Sequence, residues 1–423
     1  MVPKSCAGLK ASSKKLHLRR SRVFSKRTDV ALLGLTGFLR SFATGLIGVI
    51  FGIYLFRLGH SSAEIGILTA AGLAGATVAT AWITWRGDRG GRRQALIGLA
   101  LFSIAGGIGL AFVSNFTGLL LLVFAGMVNA MGTDRSASYV IEQAALPNLV
   151  SDRERTWAFS WYHLVLDAGG ALGALAAALP VALYRWQGIP ISTAYTAVFL
   201  GYSALGMVSA VAYSFVSNRI ETATAQSTEK LSPTSKKHVF GLARLFAIDS
   251  FGGGFLTDAV VAYWFFRRFG ISEVQLGALF FVIHILNAFS HLGAAWLAGK
   301  IGLLKTMVFT HLPSSVFLIA VPLAPNFAIA AGLLLAREAL VEMDVPTRQS
   351  YVAAVVSPHE RTFASGVTNL SRSAFWAIAS AISGVLMQNL TFSAPLIAGG
   401  SIKIGYDVLL YRKFRHIKPP EEV

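Results

Sequence analysis

The chain has 423 residues, 54% of them hydrophobic and only 13% charged, with a formal net charge of +17. A soluble domain of this length needs far more polar surface to stay dispersed, so the composition excludes a water-soluble enzyme or binding module. The positive excess does not indicate nucleic acid, because much of it sits in one tail ahead of Asp29, as Lys4, Lys10, Lys14, Lys15, Arg19, Arg20, Arg22, Lys26 and Arg27.

That tail suits the anionic face of a cytoplasmic leaflet. Its Ser-, Lys- and Arg-rich, acid-poor character also resembles an organellar transit peptide. Cys6, the single cysteine, lies in the tail, so an internal disulfide and a Cys-ligated metal are both ruled out. No cofactor is expected.

Long apolar runs follow one another after the tail. They are continuous rather than alternating, which excludes barrel strands, and each approaches the roughly 20 residues that a membrane helix needs. The runs place spans at 30–56, 65–85, 95–113, 116–134, 156–183, 192–217, 241–266, 274–298, 306–324, 327–345, 362–387 and 395–411. The fourth is expected to continue as helix past Asp134 as far as Pro147. The fold class is therefore an all-α membrane protein with twelve transmembrane helices in two pseudo-symmetric six-helix bundles. A basic tail (1–29) precedes the N-terminal bundle (30–217); a linker (218–240) joins it to the C-terminal bundle (241–411), and a short tail (412–423) closes the chain.

Most of the 37 Lys and Arg residues fall on the side of the two tails, while Arg57, Arg185, Arg267 and Arg268 fall on the other. The bias of basic residues toward the cytoplasm sets both termini inside, with the plasma membrane as the expected location.

The halves echo each other. Ser151-Asp-Arg-Glu-Arg-Thr-Trp-Ala158 matches Ser357-Pro-His-Glu-Arg-Thr-Phe-Ala364, and Phe56-Arg-Leu-Gly59 matches Phe266-Arg-Arg-Phe-Gly270. Two six-span repeats facing a midplane site fit this duplication.

Between spans two and three lies Asp88-Arg-Gly-Gly-Arg-Arg93, in which Gly91 allows a tight turn, Asp88 can cap a helix, and Arg89, Arg92 and Arg93 hold the loop at the inner face. This loop resembles the signature of the major facilitator superfamily, with Thr84 in place of the first glycine. Gly299-Lys-Ile-Gly302 with Lys305 is a degenerate second copy that has lost the acid. The resemblance implies secondary transport and a monomer. Two drug-antiporter features are absent: span five reads Asp167-Ala-Gly-Gly-Ala-Leu-Gly173 without a Gly-Pro element, and Leu122 stands where span four would carry a basic residue.

Charges inside a membrane cost about 2.5–3.5 kcal/mol on insertion scales, so each asks for a reason. Arg40 in span one and Asp249 in span seven are expected to face each other across the cavity. Asp249 is the first candidate for proton coupling, since alternate burial and exposure would let an acid there take up and release a proton. Asp258, Asp134, Asp167, Arg337 and Glu338 complete the substrate and proton candidates. Glu142, Arg155, Asp344, Arg348 and Arg361 are candidates for inner-gate ion pairs between the halves. Lys403 and Asp407, four apart, read as a pair within one helix. His284, Asn287 and His291 share one face of span eight as a hydrogen-bonding wall; no metal site is expected. Gly169 and Gly173 suit close helix approach.

With no phosphate-binding loop, ATP is not the expected energy source. The leading expectation is alternating-access transport of a small polar or charged solute, proton-coupled and not enzymatic, with the solute, protons and the lipid bilayer as partners. The alternatives are drug or metabolite efflux and, from another class, a transporter-like sensor or lipid-handling protein.

Overall fold

The structure, a computed structural model, describes residues 26–86, 91–150, 155–221, 233–345, 347–348, 351 and 361–416. Among these residues there is no strand. In hydrocarbon each backbone N–H and C=O must be satisfied within its own segment, and helices do this locally.

Span one is α1 (Lys26–Arg57), span two α2 (Ser62–Arg86) and span three α3 (Arg92–Phe112). Span four is split into α4 (Phe116–Ala125) and α5 (Ala137–Leu149), and span five into α6 (Arg155–Ala176) and α7 (Leu179–Gln187). Span six is α8 (Ile191–Phe215). In the second half, span seven is split into α9 (Pro233–Gly254) and α10 (Asp258–Phe269), and span eight is α11 (Glu273–Ile301). Spans nine to twelve are α12 (Leu303–Ala320), α13 (Phe327–Val341), α14 (Arg361–Asn389) and α15 (Ala394–Phe414). Nine spans among the described residues are long and apolar enough to cross a membrane as they stand. Span four with its break, charge-bearing span ten and span twelve complete the twelve.

The helix ends follow from local sequence. Asn115, Ser136, Thr257 and Asn326 each accept an N–H bond at the start of α4, α5, α10 and α13. Ser272 and Gln275 form a reciprocal capping box on α11. The expected linker is structured at both ends: Asn218–Ile220 form a 3₁₀ turn whose Ile220 is fully buried, and helix resumes at Pro233.

Each half packs mainly within itself, and glycines decide how closely. A Cβ on Gly169 or Gly173 would strike the carbonyls of Phe38 and Phe42, so span five lies directly against span one. Across the halves, span one meets span seven, span two meets span eleven and span five meets span eight. Glycines allow backbone to approach closely there, at Gly52 to Ala259, Gly66 to Gly384, and Gly277 to Ala174.

Candidate functional site

Arg40 lies in a closed network of the first half. It donates from Nε to Asp134 at 2.6 Å and from its two terminal nitrogens to the Glu142 oxygens at 3.1 and 2.8 Å. Glu142 also accepts from the hydroxyls of Tyr213, at 2.6 Å, and Tyr162, and lies 2.8 Å from the hydroxyl of Thr36. Every lone pair of a carboxylate that is 1% exposed is thereby used. Spans one, four, five and six are tied at one point.

Asp249 has an equally closed network in the second half. Lys403 donates to it at 2.9 Å, with His311, Arg348 and Arg372 within 3.7 Å. His311 accepts from Lys403 on Nε2 and stands 3.0 Å from Asp407 on Nδ1, so its other face is fixed by a second acid. Arg348 also pairs with Asp344, and Arg372 donates to Ser250 at 3.0 Å. Lys403 and Asp407, read as partners within one helix, instead take partners on other spans. Arg40 and Asp249 do not face each other; each is neutralised inside its own half, because a buried charge binds the nearest opposite charge.

The two networks are mates of opposite polarity. In the register that matches Ser151 to Ser357, Glu142 falls opposite Arg348. Span one supplies a cation to a span-four acid, and span seven supplies an acid to a span-ten cation.

Between the networks lies a seam where both halves lose their helix. Span four was expected to run through Asp134, but it unwinds over residues 126–136, with positive φ at Met127 (50°) and Gly132 (87°). The break is internally satisfied. Asn129 donates to the Thr133 carbonyl at 2.8 Å and accepts from the Met131 amide at 2.9 Å, and Asp134 accepts from the Ser136 amide. Span seven breaks at residues 255–257, and Ala259, just beyond, donates its amide to the Ala130 carbonyl at 3.2 Å.

Asp258 opens α10 at this seam, packed against Gly48 of span one and Gly132 of span four. Its Oδ2 stands 3.9 Å from His284 Nε2, and neither atom has a hydrogen-bond partner among the described residues. Asn287 Oδ1 and Ser290 Oγ, further along the same helix, are also buried and unpartnered. His284 in turn faces Gly170 of span five.

The remaining expected residues divide clearly. Arg337 pairs with its neighbour Glu338. Asp167 is half-buried with no ion pair among the described residues. The same holds for Glu342, which the sequence reading did not single out as a site residue. Arg135 stacks over Trp376 at 4.1 Å. Of the gate candidates, Glu142, Asp344 and Arg348 are engaged within their own halves; Arg155 and Arg361 open α6 and α14, and their side chains lie outside the described residues. Asp88 and Arg89 also lie outside the described residues. Gly91 takes φ 77° at the start of α3, as its turn requires. Arg92 donates to the carbonyls of Ala144 and Ile220, and Arg93 to that of Val216. The acid capping this helix is one the sequence did not mark: Glu221 accepts from the Arg92 amide at 2.6 Å and the Arg93 amide at 3.2 Å.

The side away from the termini carries a clamp missed in the sequence, although its residues form the second repeat match. Arg57 bonds Glu273 at 2.6 Å and lies over Phe266 at 5.5 Å, while its mate Arg267 lies over Phe56 at 4.3 Å. Glu273, 2% exposed, also accepts from Tyr195 at 2.9 Å. An apolar cleft of about 270 Å³ between spans one, five and six is lined by Phe42, Leu46, Leu183 and Tyr202. The Tyr202 hydroxyl is taken by Ser103, so the cleft offers a polar solute nothing.

Residues 33–343 match the family model of the major facilitator superfamily. An uncharacterised membrane protein of Saccharomyces cerevisiae is 25% identical over 416 residues, covering 90% of this chain and 93% of its own. Among solved structures, a bacterial homologue of the human lysosomal transporter Spinster, in an inward-facing occupied conformation, superposes with a TM-score of 0.71 at 15% identity, over 92% of this chain and 97% of its own. A D-xylose–proton symporter superposes with a TM-score of 0.71 at 13% identity, over 93% of this chain and 98% of its own.

Proposed function

The chain belongs to the major facilitator superfamily and is a multi-pass secondary transporter rather than an enzyme, and from that premise we propose that it moves a small polar or charged solute by alternating access coupled to protons. The observation that carries the reading is the far-side closure. Gly52, Gly66 and Gly277 bring the halves into direct contact there, and the Arg57–Glu273 pair locks them. Rigid halves in contact along one side can rock apart about a central site.

Each half is made rigid by its own network around Arg40 or Asp249, with Asp134 and Glu142 on one side and Asp344 and Arg348 on the other. These residues therefore hold the bundles, and the solute and proton are handled at the seam. Asp258 is the coupling acid in this reading. It lies between the halves with only an imidazole within ion-pair distance among the described residues, whereas Asp249 is enclosed by four basic groups. Arg337, Glu338 and Asp167 line the approach. The protein works as a monomer in the plasma membrane with both termini in the cytoplasm.

Proton movement in proteoliposomes, followed while metabolite and drug pools are screened, tests the reading. Solute-dependent proton flux that disappears in Asp258→Asn is expected. Solute movement with an unchanged pH dependence in Asp258→Asn would remove the coupling role, and no gradient-driven movement of any solute would remove the transport mechanism.

A further inference from the structure

Buried acids elsewhere in the core are matched. Glu142 and Asp134 have Arg40, Glu273 has Arg57, Asp344 has Arg348, Glu338 has Arg337, and Asp249 has Lys403. Three carboxylates around the seam are not. Asp258, Asp167 and Glu342 have no arginine or lysine within ion-pair distance among the described residues; Asp258 has only His284, at 3.9 Å. Glu342 is an electrostatic neighbour of both Asp258 and His284, and also of Asp167 and Arg135, which places the group in one region. Among the described residues, these three acids face the guanidinium of Arg135 and the imidazoles of His284 and His291, while Arg337 and Arg348, already paired elsewhere, are also neighbours of Glu342.

A cluster of acids alone selects nothing more than positive charge. The wall beside it is more informative. His284 Nε2, Asn287 Oδ1 and Ser290 Oγ recur every three residues along span eight, all on residues at most 8% exposed and all without a hydrogen-bond partner among the described residues. Leaving such groups buried and unsatisfied is costly, so a bound group that satisfies them is strongly selected over one that does not. Asn287 Oδ1 can only accept, as can Asp258 Oδ2 while its carboxylate is ionised, and the imidazole and the hydroxyl can do so as well. The missing partner is therefore a donor, and the unmatched carboxylates require it to carry positive charge.

We infer that the transported solute is an organic amine, bound as its ammonium by the Asp258 carboxylate and the Asn287 carbonyl, with His284 accepting the third N–H and Ser290 open to a second donor on a longer solute. The inference rests on the transport reading above and names the class of solute. A metal ion fits less well: among the described residues no three His, Cys, Asp or Glu groups converge as metal ligands do. The glycines opposite admit the solute closely. Gly48, Gly132 and Gly170 face the Asp258–His284 pair from spans one, four and five, so the first half presents backbone rather than side chains to that pair.

The test uses purified full-length protein in detergent, with melting temperature as the readout. The probes are butylamine, tyramine and spermidine, with butanol and 4-ethylphenol as neutral counterparts and butanoate and 3-(4-hydroxyphenyl)propanoate as anionic ones. At least one amine is expected to stabilise the wild type with an apparent affinity about tenfold or more above its counterparts, which is the factor a difference of 1.4 kcal/mol gives. The stabilisation should vanish in Asp258→Asn and weaken in Asn287→Leu, which keeps the bulk and the fold while removing the acceptor. Stabilisation by an alcohol or a carboxylate equal to that by its amine overturns the inference. So does an amine effect that survives both substitutions, or the failure of every amine to bind. Uptake of the same probes into proteoliposomes separates the two claims. Binding without uptake keeps the amine site and removes the transport reading, whereas uptake of a neutral or anionic counterpart keeps transport and removes the amine.

Discussion

The Ala259 amide donates to the Ala130 carbonyl across 3.2 Å, joining the break in span seven to the break in span four. A main-chain bond between helices needs both helices unwound, so two interruptions that would each expose backbone in the membrane satisfy one another. Gly132 makes the approach sterically feasible: it takes φ 87°, and a Cβ there would run into the Asp258 carboxylate.

Gly132→Ala is therefore expected to destabilise the protein by about 1–3 kcal/mol through backbone strain and to abolish uptake. Gly98→Ala, with nothing within 4 Å of its added methyl, should leave uptake as it is. Melting temperature and proteoliposome uptake of the two variants decide the matter; a fully active Gly132→Ala protein would show that the seam tolerates a side chain.

Asp249→Asn and Asp258→Asn should separate structure from coupling. Removing the Asp249 charge strands Lys403 and Arg372, while Arg348 keeps Asp344, and breaking a buried pair in this way costs about 3–5 kcal/mol. Asp258→Asn strands only an imidazole, so its melting temperature should stay close to wild type. If Asp249→Asn melts with wild type and yet fails to move protons, the coupling role belongs to Asp249.

Glu273→Gln removes the charge that Arg57 and Tyr195 hold on the far side. In a Cys6→Ser background a reporter at Ser62→Cys, beside Tyr263 at the seam of the halves, should react faster with a membrane-impermeant maleimide once Glu273 is neutralised. An unchanged labelling rate would mean that the glycine contacts alone keep this side shut.

Glu221→Ala deletes the cap on α3, leaving the amides of Arg92 and Arg93 without their carboxylate. A loss of about 0.5–2 kcal/mol is expected, the usual worth of a helix cap. Glu221→Gln, which retains an acceptor, should recover part of it; equal melting of the two variants would assign the effect to charge alone.

Much of the architecture was legible in the sequence, because membrane helices announce themselves by apolar length. The partners of the buried charges were less so. Arg40 and Glu142 were both singled out, but under different roles, since sequence gives the face of a helix and not the distance between helices. The break in span four left a trace in Gly126, Asn129, Gly132 and Ser136, residues that favour turns and caps; the long apolar run around them outweighed it. Glu221 and Glu273 carried no signal at all. Each works through a partner far along the chain, Arg92 in one case and Arg57 in the other, and a lone acid beside a span reads as a solvated end.

The inverted polarity of the two charge networks bears on how the chain assembles. Duplicated halves share helix shapes, so a newly inserted span could dock in the wrong half. Span one set in the place of span seven would bring Arg40 against Arg348 and Lys403, and span seven in the place of span one would bring Asp249 against Glu142 and Asp134. Like charges in a low-dielectric interior repel strongly. The sign reversal thus penalises any exchange of the two helices between the repeats.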